Sequence, residues 1–195
     1  MNYPLSLSFK LLAIANQIYV RDASGALVFY VKQKAFKLKE AITVFADENQ
    51  TQPYFTINAD RVIDFSARYH FADMSGRPLG SIKRQGMRSL WKASYDIMEG
   101  ENVVMRINEE NGWVKVMDAL LGEVPVVGMF TGYFFNPSYL VTRPDGTPVF
   151  RLKKEPAFFE GKFTIEHIGQ LHSQDDETRA VLGMMMMVLL ERKRG

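Results

Sequence analysis

The sequence predicts a mainly β fold, a closed antiparallel β-barrel around a central hydrophobic C-terminal α-helix. Three observations predict it: a hairpin-like segment that recurs three times, a cadence of short alternating strands, and a charge-free apolar run near the end of the chain.

The recurring segments are VRDASGALVFYVKQK from Val20, HFADMSGRPLGSIKRQ from His70 and VTRPDGTPVFRLKKE from Val141. In each a turn ends in glycine (Gly25, Gly76, Gly146), and a lysine follows seven residues later (Lys32, Lys83, Lys153). The turns have a chemical reason. Asp and Ser side chains cap backbone amides, Pro144 presets φ, and glycine accepts positive φ. After the first turn, Leu27, Phe29 and Val31 alternate with Val28, Tyr30 and Lys32, which is the period of a strand. Each copy therefore reads as a β-hairpin.

Further strands are expected at Ala41–Asp47, Tyr54–Asn58, Val62–Asp73, Lys92–Met98, Glu101–Asn108 and Lys162–Gly169. Turn residues separate them at intervals of roughly ten, the cadence of an antiparallel sandwich or barrel. The pattern breaks at Glu109–Leu121, where Trp113, Val116, Met117, Leu120 and Leu121 fall at helical spacing and Gly122 is placed to stop a short amphipathic helix. The following VPVVGMFTGYFFNPSY is read as a strand plus loop or an aromatic patch, and is too interrupted for a membrane span.

The last element is a helix at about 174–192. Ser173 and Asp176 fit a capping box, and Asp175 to Glu177 place negative charge in its first turn. Arg192, Lys193 and Arg194 place positive charge at its end. Ala180 to Leu190 carries no charge and measures about 16 Å as a helix. A bilayer core needs about 30 Å. Successive residues advance 100°, so Met184 to Met187 leave no polar face, and a helix apolar all round must be enclosed. Methionine's flexible side chain suits an irregular interior. Ala180 and Gly183, three apart, leave a shallow strip where a strand can approach.

Composition narrows the function. A chain of 195 residues, 47% hydrophobic and 24% charged, reads as a single domain over 1–195. A formal charge of +2 lacks the excess of a dedicated nucleic-acid binder. With no cysteine there are no disulfides, thiolate metal sites or cysteine nucleophiles, and a reducing compartment fits. At the N-terminus Lys10 interrupts the apolar stretch, and Leu11–Ala15 is shorter than a signal h-region, so a cytoplasmic location is expected. His70, His167 and His172 lack metal-ligand spacing, and strand periodicity puts Glu166 and His167 on opposite faces. No nucleophile elbow, Walker loop or dinucleotide fingerprint is present. No catalytic residue, metal or cofactor is assigned.

FTINADRVIDFSARYHFADMSGRPLGSIKRQGMRSLWKASYDI (Phe55–Ile97), IYVRDASGALVFYVKQKAFKLKEAITVFAD (Ile18–Asp47) and FEGKFTIEHIG followed by the apolar helix together resemble the LURP-one-related proteins of the Tubby C-terminal-like fold, distant kin of phospholipid scramblases. The resemblance implies about twelve strands threaded by the C-terminal helix. It also implies a setting among phospholipids: Tubby domains bind phosphoinositide headgroups through basic residues, and scramblases act on phospholipids and bind calcium. No residue role carries over. The scramblase calcium segment and palmitoylated cysteines have no counterpart here.

The leading reading is a non-catalytic binding module, peripheral to a membrane, whose basic strand residues engage an anionic ligand such as phospholipid headgroups. The candidates are Lys32 and Lys34 in the first hairpin, Lys83 and Arg84 in the second, and Lys153 and Lys154 in the third. Alternatives are a small enzyme or ligand carrier with a pocket at the barrel mouth, and a protein-interaction domain using the 128–135 aromatic segment.

Overall fold

The computed structural model describes residues 1–11, 15–34, 41–61, 67–86, 94–110, 137–156 and 161–192. They form β1 (Leu5–Leu11), β2 (Ala15–Arg21), β3 (Leu27–Lys34), β4 (Ile42–Phe45), β5 (Pro53–Ala59) and β6 (Arg68–Asp73). Next come β7 (Pro78–Arg84), β8 (Ser94–Glu99), β9 (Asn102–Glu109), β10 (Ser138–Thr142), β11 (Pro148–Glu155), β12 (Gly161–His167) and the helix α1 (Gln174–Arg192). Each strand pairs antiparallel with its sequence neighbours, and β1 closes on β12 with Leu5 opposite Ile165 and Phe9 opposite Gly161. Closure leaves no unpaired edge.

Because the chain reverses after every strand, its connections alternate between two ends. The turns after β2, β4, β6, β8 and β10 share one end, the turn end, and the other connections leave from the far end. The helix follows β12, so it starts at the turn end and runs to the far end.

Strand alternation builds the core. In β1, Leu5, Leu7 and Phe9 are buried while Lys10 is exposed. The inward residues meet α1, whose Met184 to Met187 have no exposed surface at all. Fully burying a side chain of this size contributes roughly 1.5–3 kcal/mol, which makes the helix the centre of the core. The expected cap is present: the Asp176 amide donates to Ser173 Oγ at 3.1 Å. Gly183 lies where a strand approaches, since a Cβ there would stand 2.9 Å from Ile97 Cδ1 in β8.

Some expectations change. The strand expected over Val62–Asp73 begins at Arg68, and 62–66 lie outside the described residues. Glu109, expected to open a helix, instead closes β9, and the rest of that helix and the 128–135 segment lie outside the described residues. The helix is also less uniform than its charge-free run: Arg179, at its edge, is 2% exposed and sits inside the barrel.

Candidate functional site

The three repeats are β2–β3, β6–β7 and β10–β11, and successive copies stand four strands apart in either direction around the twelve-stranded ring. The barrel wall therefore has a threefold internal pattern, and the turns show how closely it is kept. Asp22 Oδ1 accepts from the Ser24 amide at 2.9 Å, the Ser24 hydroxyl at 2.6 Å and the Ala26 amide at 3.0 Å. Asp73 Oδ1 accepts from the Ser75 amide, the Ser75 hydroxyl and the Arg77 amide at those same distances. In the third turn Asp145 accepts from the Thr147 amide at 2.9 Å. Gly25, Gly76 and Gly146 take φ of 84°, 85° and 89°, which only glycine adopts without strain. A bulge follows at the same place in each copy, at Val20/Arg21, Phe71/Ala72 and Val141/Thr142. Hydrogen bonding from the Ser75 hydroxyl, then from Arg77 and the turn amides, outweighs desolvation and holds the Asp73 carboxyl down at about 2.

Beyond the bulge the copies differ at one inward position. The first and third place Phe29 and Phe150 there, whereas the second has Gly80 with φ 139°. Arg179 of the helix occupies the vacated space. A Cβ on Gly80 would stand 2.7 Å from Arg179 Nε and would also collide with the Met98 carbonyl. The guanidinium donates to the Leu79 carbonyl at 2.5 Å, Asp176 at 2.9 Å and Glu99 at 2.6 Å. A buried arginine is tolerable only when its donors are satisfied in this way. Sequence reasoning missed this lock. Its signal was Gly80, a glycine inside a strand where the other two copies carry phenylalanine.

The candidate basic residues divide into distinct environments. Lys32, Lys83 and Lys154 are exposed and make no ion pair among the described residues. Lys153 is tied to Glu166 at 2.6 Å. Arg84 is buried, 3.6 Å from Glu191 and over the Tyr95 ring at 5.8 Å. Lys34 closes β3, and its side chain lies outside the described set. The three clusters do not converge: each stands a third of the way round the barrel from the next. All three do share one axial end, since each lysine follows its turn glycine by seven residues, about 23 Å of strand.

At that far end the helix terminus carries a second polar cluster that the sequence reading did not foresee. The Tyr95 hydroxyl donates to Glu191 at 2.5 Å, and Arg192 lies 4.8 Å over the Phe9 ring. Burial pushes the Tyr95 phenol up, aided by Glu191. Tyr139 is pushed up to about 12 by burial and by Glu109 and Glu191. These phenols stay protonated at neutral pH, and the Tyr95 hydroxyl acts as a donor. Glu166 and His167 face opposite ways, Glu166 toward Lys153 and His167 toward the rings of Tyr3 and Phe150 at 5.2 and 5.1 Å. Among the described residues no three His, Asp or Glu side chains stand close enough to hold a metal ion.

A barrel of three repeated hairpins around a helix is an arrangement that other chains can be compared with. Residues 27–119 match the LURP-one-related family. This LURP-one-related stretch takes in the first repeat from the start of β3, the whole second repeat, and the strands to the end of β9. The chain is also similar to an X-ray structure of a protein from Arabidopsis thaliana, at 15% identity and a TM-score of 0.50, covering 98% of this chain and 92% of that one. Identity that low bears on the fold alone. No curated protein matches the chain. No helix among the described residues is long and apolar enough to cross a membrane.

Proposed function

We propose that the chain is a non-catalytic binding module, acting in the cytoplasm, that engages anionic ligands, in particular phospholipid headgroups at a membrane surface to which it binds peripherally. The observation that carries this reading is the set of exposed lysines Lys32, Lys83 and Lys154, which have no carboxylate partner among the described residues. A lysine held in an ion pair must give it up to bind an anion, whereas no ion pair holds these three among the described residues. The filled interior supports binding on the outside, because the helix side chains occupy the space a lipocalin-like carrier would use.

Co-sedimentation with phosphatidylserine-containing vesicles tests the proposal. Binding is expected at low salt and should fall as the screening length shortens from about 30 Å at 0.01 M to about 3 Å at 1 M. Absence of binding at the lowest salt rejects it.

A further inference from the structure

We infer that the chain meets its anionic surface side-on, through the wall formed by β12, β1, β2 and β3, and that this surface is a lipid bilayer. The inference rests on the anionic-binding reading above and adds which face does the binding. Charge is unevenly spread around the barrel. The five adjacent strands β11, β12, β1, β2 and β3 carry eight basic residues against two acidic ones, whereas the other seven strands carry four of each. β1, β2 and β3 have no acidic residue at all. The one acid of β12, Glu166, is taken by Lys153 at 2.6 Å.

Strand register gathers three lysines on this wall. Lys10 stands opposite Gln17 and Gln17 opposite Lys32, so the two lysines share a row two strands apart, about 10 Å at about 4.8 Å per strand. Lys162 stands opposite Ser8, one strand to the other side of Lys10 and two residues along. All three are exposed and make no ion pair among the described residues, and Lys10 lies over the Tyr19 ring at 5.2 Å. Between them the wall carries the small side chains of Ser6 and Ser8 in β1 and Thr164 in β12. From β12 to β3 is a quarter of the twelve-stranded ring. At about 4.8 Å per strand the wall falls only about 3 Å below its tangent plane at either edge, which the four methylenes of a lysine span. One plane therefore meets all three lysines. Lys154 of β11 lies one strand beyond this face, and Lys83 of β7 stands on the opposite side. The shape also selects the partner. A duplex is itself convex and touches a convex wall along one strip, whereas lipid headgroups move laterally and gather beneath each lysine. Each contact is weak alone, and the three add because one orientation satisfies them all.

The test compares variants on phosphatidylserine–phosphatidylcholine vesicles at fixed low salt, with circular dichroism to confirm folding. Lys10→Ala, Lys32→Ala and Lys162→Ala should each weaken partitioning by about fivefold, and the triple variant by about a hundredfold. Arg106→Ala makes the same change in net charge on the far wall, in β9, and should leave partitioning unchanged. Orientation is read separately. The chain has no cysteine, so a single one can be placed and labelled with a fluorophore. A label at Ser8→Cys should be quenched by nitroxide-bearing headgroups, and one at His70→Cys, exposed on β6, should not. If the wild type binds but the two labels are quenched equally, or Arg106→Ala weakens binding as much as Lys10→Ala, the side-on face is wrong while anionic binding stands. Tighter binding to duplex DNA than to vesicles at matched salt overturns the lipid partner. A wild type that stays unbound at low salt removes the underlying reading, and the face with it.

Discussion

At the scale of single residues, the turns show how much chemistry a short string specifies. Asp-x-Ser-Gly was readable as a turn because an aspartate can accept from amides two and four residues on, and both copies do so with the serine hydroxyl added. The consequence for pH follows from the sign of the shift. Asp73 titrates at about 2 in the folded protein, below its ordinary 3.8, so its contribution is complete above the unfolded value and is lost as pH falls through that interval. The Ser75 hydroxyl is the largest cause, so Ser75→Ala should move the Asp73 midpoint upward in a carboxyl NMR titration. An unchanged midpoint would mean that the amides and Arg77 alone set it. Ser24→Ala should act on Asp22 in the same direction.

At the scale of elements, the legible parts were those with a local cause. The helix ends were readable because Ser173 caps one and Arg192 marks the other. The apolar centre was readable because four methionines in a row leave no direction for water. Arg179 was not readable, because its burial depends on Gly80, nearly a hundred residues earlier in the chain, and on Glu99 of the neighbouring strand β8. The separation of the basic residues onto three sides of the barrel was not readable either, since strand number and closure decide where equivalent positions fall. Gly183 joins the two kinds. It costs the helix about 1 kcal/mol relative to alanine by intrinsic propensity. It is retained where a Cβ would press on Ile97 at 2.9 and 3.1 Å, and overpacking costs about 1–3 kcal/mol. Gly183→Ala should therefore destabilise the protein by about 1 kcal/mol in denaturant titration. Adding Ile97→Val, which removes the nearer carbon, should recover most of that loss. If Gly183→Ala alone stabilises, the strand is not packed as closely as its geometry states.

At the scale of the whole molecule, the barrel and the helix are one cooperative unit. The inward face of the sheet is mostly apolar: Leu5, Phe9, Phe71, Ile97 and Phe150 are at most 1% exposed and belong to one core cluster with the residues of the helix. Removing α1 would leave that face around a void or around water. A single large-to-small substitution in a core costs about 2–5 kcal/mol, and domains of this kind are stable by only about 5–15 kcal/mol. The helix supplies Val181, Leu182 and Leu189 to the core in addition to its four methionines, so deleting Arg179–Gly195 removes more than the whole margin. The truncated chain should show no cooperative unfolding transition and no protected amides in the strands. A soluble truncation that still melts cooperatively would mean that the hairpins close on each other without a plug, and the buried methionines would then need another explanation.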